Sequence, residues 1–339
     1  LVGAVHPAAR GLALALESDP AVDRVLGLSA HEPPLLGPKF EFVQASPGDE
    51  RFAGALAEAD TVVLFPLLEA LDRDGGRQAR FVAGMETALG AAPDAATVVL
   101  WSSGVVYGAH PDNPVPIAED RPVRPNPGFA PAAALAEAER VVLGSAAGRA
   151  GRSATVLRAA AIWAPAWGTF LSRVLQAPVI LGVRGYDPPV QALHPDDAVA
   201  ALTLAAGGGL SGVYNVAPVD WVPARTVART VGRRRVELPE RAAFTAAEQL
   251  WGFGVAATRS GELPYHMHPW VLDAARLRQA GWTPAHTTAT ALRDAGSGMD
   301  EGVLVGRVRV RRGDVYRGAA AAVAAFAAVA VARRQGRRR

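Results

Sequence analysis

The chain has 339 residues, half of them apolar and a fifth charged, with no cysteine. That length holds one large α/β domain or two smaller ones, and the lack of thiols excludes disulfides, thiol catalysis and cysteine-ligated metals. The formal charge of +3 is unevenly spread: residues 302–339 hold ten Arg against one Asp, so the basic character belongs to the tail and the remainder is net acidic.

The chain opens on Leu1 within a strand–turn–helix pattern that carries no signal-peptide signature. The first strand is expected to begin upstream of Leu1. Short apolar runs then read as buried parallel strands at Arg24–Leu28, Phe40–Val43, Thr61–Phe65, Ala96–Trp101 and Ala154–Arg158. Helical patterns lie between them at Ala8–Ser18, Glu50–Glu58, Arg77–Leu89 and Pro131–Leu143. This alternation predicts an α/β fold, a doubly wound parallel sheet with right-handed crossovers. From about residue 165 the pattern loosens. Strands at Val179–Leu181, Val190–His194 and Val213–Val216 mix with helices at Asp196–Ala206, Pro223–Val231, Ala242–Trp251 and Asp273–Ala280.

Three stretches carry chemistry. Gly3 opens the turn Gly3-Ala4-Val5-His6-Pro7-Ala8-Ala9 ahead of the first helix. The strand Ala96–Trp101 delivers Ser102, Ser103 and the turn Val106-Tyr107-Gly108, and a helix beginning near Pro131 follows. Gln191–Asp197, Gly212–Ala217 and Asp273 with Gly281-Trp282-Thr283-Pro284 come later in a fixed order. With these landmarks, residues 1–294 resemble the extended short-chain dehydrogenase/reductases, the NAD-dependent epimerase/dehydratase family. The resemblance implies a Rossmann-like core over about 1–165. It also implies a smaller C-terminal substrate-covering part, interleaved from about 166 to 294.

It further implies NAD or NADP as cofactor, a sugar nucleotide or similar small molecule as substrate, and a homodimer paired through helices beside the site. The family's proton-transfer pair is Tyr-x-x-x-Lys, and the two matching positions are Pro131 and Leu135, neither of which can exchange a proton. Ser103 matches the serine that orients substrate, but an unassisted hydroxyl is a poor base. Tyr107 matches a structural turn aromatic, and Glu139 an acid expected to face solvent or a partner helix.

The cofactor positions also depart from the pattern. Of the three glycines that let phosphates approach a helix N-terminus, only Gly3 remains. The others are His6 and Ala9. Ala is tolerated at its position, whereas the His6 ring is expected to exclude phosphate rather than attract it. Ser29 stands where an acid normally holds the ribose, and it selects neither NAD nor NADP. Ser46 takes the place of the acid near the adenine, and Asp49 is read as a helix cap. Phe65 and Pro66 stand where small residues admit the cofactor. The resulting expectation is an atypical, catalytically impaired member acting in binding or regulation. The competing expectation is an active oxidoreductase or epimerase using Ser103 and a non-standard relay.

Other constellations have simpler readings. His266-Met267-His268 reads as packing and not as a metal site. His194 is expected to close a strand, with Asp196 or Asp197 capping the next helix. No hydrolase elbow, Walker loop or nucleic-acid module is present. Residues 295–339 match nothing in the family and are expected to form a flexible tail or a marginal helix over Gly318–Ala332. That helix is too short to span a bilayer, though its arginines suit an acidic partner or membrane surface. A cytoplasmic location, peripheral to the membrane through this tail, is the expectation.

Overall fold

Alternating side chains along parallel strands sort the apolar residues into two layers. The computed structural model describes residues 1–33, 37–66, 75–167, 169–177, 179–252, 258–297, 302–305 and 308–311. Its strands are β1 (Val25–Ser29), β2 (Phe40–Gln44), β3 (Thr61–Leu64), β4 (Thr97–Ser103), β5 (Ser153–Ala159), β6 (Val179–Val183), β7 (Pro189–Val190), β8 (Gly212–Val216), β9 (Val222–Pro223) and β10 (Arg234–Leu238). Its first six helices are α1 (Pro7–Glu17), α2 (Glu50–Ala57), α3 (Gly75–Ala91), α4 (Ala130–Ser145), α5 (Phe170–Gln176) and α6 (Pro195–Ala206).

β2 pairs with β1, and β3-β4-β5-β8 follow, every pairing parallel. Val2 joins the two halves by bridging Leu28 on one side and Leu64 on the other. Val62, Leu64, Val98, Leu100 and Val156 pack with Phe52, Met85, Leu89 and Val142 of α2, α3 and α4. Their sequence neighbours Val63, Val99, Trp101 and Leu157 point the other way, to Leu12 of α1 and Ala201 and Leu202 of α6. Period-two alternation thus covers both faces with helices, the Rossmann-like architecture the sequence predicts. Each Val or Leu withdrawn from water here contributes roughly 1.5–3 kcal/mol. From Ala8 to residue 160 every predicted strand and helix is found, within two residues at either end, while the strand expected at Leu1 is reduced to the two bridges of Val2.

The strand order reverses between β1 and β3, so the crevice at their carboxyl ends opens beside Val2-Gly3 and the start of α1. Over it lies the part built after residue 160. β6 and β10 pair in parallel apart from the main sheet, and Val183, Ala243, Ala247, Leu263 and Met267 form a small core there. β8 returns to the main sheet, where Asn215 ties the layers together. Its amide donates to the carbonyls of Ile117 and Asp273, both at 3.0 Å, and its oxygen accepts from Tyr107 at 2.9 Å.

One expectation is corrected. Val190–His194 is not a continuous strand: Pro189–Val190 pairs with Val222–Pro223, and the Gln191 side chain bonds to the backbone of Pro218 and Leu272 instead. Within the basic stretch, Gly302–Val305 and Val308–Arg311 pair as antiparallel strands, in keeping with the alternation of Val and Arg over Val308–Arg311. Gly318–Ala332 lies outside the described residues. No described helix is long and apolar enough to cross a membrane.

Candidate functional site

Gly3 keeps its place for a backbone reason. Its φ is +85°, and a Cβ there would sit 2.4 Å from the Phe65 carbonyl oxygen. The chain passes too close to β3 to carry a side chain at this point. Three residues on, His6 is the N-cap of α1 and its Nδ1 accepts from the Ala8 N–H at 3.1 Å. That bond leaves the ring proton on Nε2. The ring stacks on Phe65 at 5.6 Å and meets Trp167 edge-on at 6.0 Å. Burial pushes the His6 pKa down to about 4, so the ring is neutral near pH 7. Ala9 is buried in the core between α1 and the sheet. Ser29 ends β1, and its hydroxyl accepts from the His31 N–H at 3.5 Å, a local turn contact. Asp49 occupies the N-cap position of α2 as expected. Its carboxylate, however, accepts from the Ser46 N–H at 3.2 Å and not from the helix.

The end of β4 and the first turns of α4 form the floor. Ser103 caps the short 3₁₀ turn Gly104–Tyr107, accepting from the Val105 N–H at 3.4 Å. Pro131 sits in the first turn of α4, where a missing N–H costs nothing, and is buried against the cavity. Leu135, one turn on, is fully buried in the apolar core. Ala132 and Ala138 are also buried within this chain.

Glu139 overturns the expectation of an acid facing solvent or a partner helix: it is 2% exposed and bonded within the chain. Its position on α4 turns it toward β5, where Arg158 supplies the counter-charge with bonds of 2.6 and 3.0 Å. The Ser102 hydroxyl donates to the same carboxylate. Arg158 also donates to the Tyr107 hydroxyl at 2.8 Å, and that hydroxyl donates onward to Asn215. Burial raises the Tyr107 pKa, opposed by the nearby guanidinium. Tyr107 is therefore a committed structural group with no proton to spare.

Above this floor lies a cavity of about 250 Å³. His6, Trp101, Ser103, Pro131, Trp167 and Phe170 are among its walls. Thus His6, Ser103 and Pro131 are brought together, Leu135 is sealed beneath, and Ser29 is not part of the lining. The aromatic walls come from β4, α5 and the loops around 129, 167 and 270. No local motif marks them, and the sequence reading missed them. At the rim, Arg173 and Glu262 pair at 2.5 Å.

A second grouping was also missed. His194, Asp196 and His286 place one ligand-type atom each within 4.8 Å of one another. The two rings stack at 3.8 Å with planes only 19° apart. Stacked planes direct their lone pairs side by side, away from a common point, so this grouping is a packing contact. It corrects the capping expectation too. His194 itself caps α6, accepting from the Asp196 N–H at 3.2 Å. Asp197 is buried and accepts from the N–H groups of Ala285 and His286. His266 bears a pKa lowered to about 4 by burial, and His268 meets Tyr186 edge-on.

No family model matches the chain. Uncharacterised proteins of Mycobacterium tuberculosis and Mycobacterium bovis are each 30% identical to it over 324 residues, covering 87% of this chain and 82% of theirs. Among solved structures, MoeE5 in complex with UDP-glucuronic acid and NAD is similar at a TM-score of 0.65 and 20% identity, over 86% of this chain and 95% of that one. The dTDP-glucose 4,6-dehydratase DesIV from Streptomyces venezuelae, with NAD bound, also reaches 0.65 at 20% identity, over 87% and 94%. UDP-glucuronic acid 4-epimerase from Bacillus cereus reaches 0.64 at 14% identity, over 87% and 96%. The chain belongs to one family with these mycobacterial proteins, and that family is built on the fold of the extended short-chain dehydrogenase/reductases.

Proposed function

We propose that this chain binds a small molecule in the crevice of a dehydrogenase fold without carrying out hydride or proton transfer. Residues 1–294 act as one binding unit, with 166–294 covering the core. The observation that carries the reading is the cavity floor, where Pro131 forms the wall and Leu135 is closed off in the core. Neither side chain moves a proton. Among the described residues no side-chain base is hydrogen-bonded to Ser103, whose hydroxyl contacts only backbone groups.

The residues present do not fit a dinucleotide. Pyrophosphate binds at a helix N-terminus through unpaired backbone N–H groups. At α1, Pro7 has none and the Ala8 N–H is taken by His6. The His6 ring at this helix start is neutral and stacked on Phe65. What supports the opposite reading, an active enzyme working through Ser103, is the fold shared with NAD-dependent relatives. Calorimetric titration with NAD and NADP, and a turnover assay on UDP-glucose and dTDP-glucose, separate the two. The binding role predicts no saturable heat below about 1 mM and no product. Sugar-nucleotide turnover by the unmodified chain overturns it.

A further inference from the structure

The lining of the cavity defines what it takes. An apolar cavity of about 150 Å³ accommodates benzene. The 250 Å³ here therefore scales to a molecule of about ten non-hydrogen atoms. Five aromatic side chains stand around it: Trp101, Phe129, Trp167, Phe170 and Trp270. Several hold one another in place. Phe129 and Phe170 meet at 5.4 Å, and Phe170 stacks on Trp270 at 6.3 Å. Such a shell is preformed and offers ring faces and edges.

Apart from the paired Arg173 and Glu262, the polar side chains that line the cavity are few and uncharged. His6 has Nδ1 committed to the helix, so its Nε2–H is the donor it offers. Ser103 adds a hydroxyl whose two contacts, at 3.4 and 3.5 Å, are long. Among the described residues two charged side chains, Arg173 and Glu262, also line the cavity, and they pair with each other. A diphosphate would have to break that pair and would find the first turn of α1 closed.

We propose that the cavity takes a neutral ring compound bearing one oxygen acceptor, a cyclic ketone or a phenol, in place of a sugar nucleotide. This rests on the binding role proposed above. The ring lies among the aromatic walls, and its oxygen accepts from His6 or Ser103.

The test titrates the full chain with 2-naphthol by calorimetry and by tryptophan emission. Naphthalene-2-carboxylate, a trimethylammonium analogue, UDP-glucose and NAD serve as comparators. Saturable one-to-one binding of 2-naphthol is expected, with each charged comparator weaker by about tenfold or more. Trp167→Ala removes a half-buried wall and His6→Gly removes the donor. Each should weaken 2-naphthol about tenfold while circular dichroism stays unchanged. Preferred binding of any charged comparator, or no binding of 2-naphthol, overturns the ligand class and leaves the binding role to be judged by turnover. Conversion of UDP-glucose in the presence of NAD removes the binding role itself.

Discussion

At the scale of single residues, ionisable groups have been spent on structure. The Glu139–Arg158 pair is almost completely buried, with side chains 3% and 6% exposed. Removing one partner of such a pair strands a charge and costs about 3–5 kcal/mol. Glu139→Gln should therefore lower the urea midpoint sharply. Replacing both residues, as in Glu139→Leu with Arg158→Met, should recover most of that loss. His6 and His266 behave differently: burial lowers both from 6.5 to about 4. Between those values the unfolded chain binds protons that the native state refuses, so unfolding gains as pH falls. The contribution is complete above pH 6.5 and disappears toward pH 4, on the order of 1–3 kcal/mol per ring because each keeps some solvent contact. Urea midpoints measured from pH 7 to 4.5 should fall, and more steeply than in His6→Gly.

At the scale of elements, two helix beginnings matter most. The N-terminus of α1 is closed by its own cap, so His6→Gly should free the Ala8 N–H at a cost of only a few tenths of a kcal/mol. Phosphate or NAD affinity should then rise above that of the unmodified chain, read by calorimetry. In α4, Leu135→Lys would place a charge in a fully enclosed apolar site. An uncompensated charge there should destabilise by about 3–5 kcal/mol. Pro131→Tyr combined with it should yield no UDP-glucose turnover, because the apolar surroundings of Leu135 do not stabilise a charged pair. The β-strands, α1 and α4 were readable because their periodicity is local. Their burial partners were not: Glu139 looked like a surface acid until Arg158, nineteen residues away, was found beside it. His194 was likewise missed as a cap, because Asp196 and Asp197 are the commoner capping types.

At the scale of the whole molecule, architecture was more legible than chemistry. Alternation and landmark order announce a parallel doubly wound sheet, since every strand must bury two faces. The cavity has no such signature. Its walls are contributed by segments between residues 6 and 270 that meet only after folding. The tail shows the same limit, because Val303–Val310 contacts between two short strands carry no weight in a reading by composition. One feature of the assembled fold also governs traffic into the crevice. Asn215 stitches β8, the edge strand of the main sheet, to the 104–119 segment and to Asp273, so these three stretches are sewn together. A hinged clamshell would have to tear those stitches before it could gape. A guest must instead slip past individual side chains at the doorway, and arrival should be paced by their rotation, far below the diffusive ceiling.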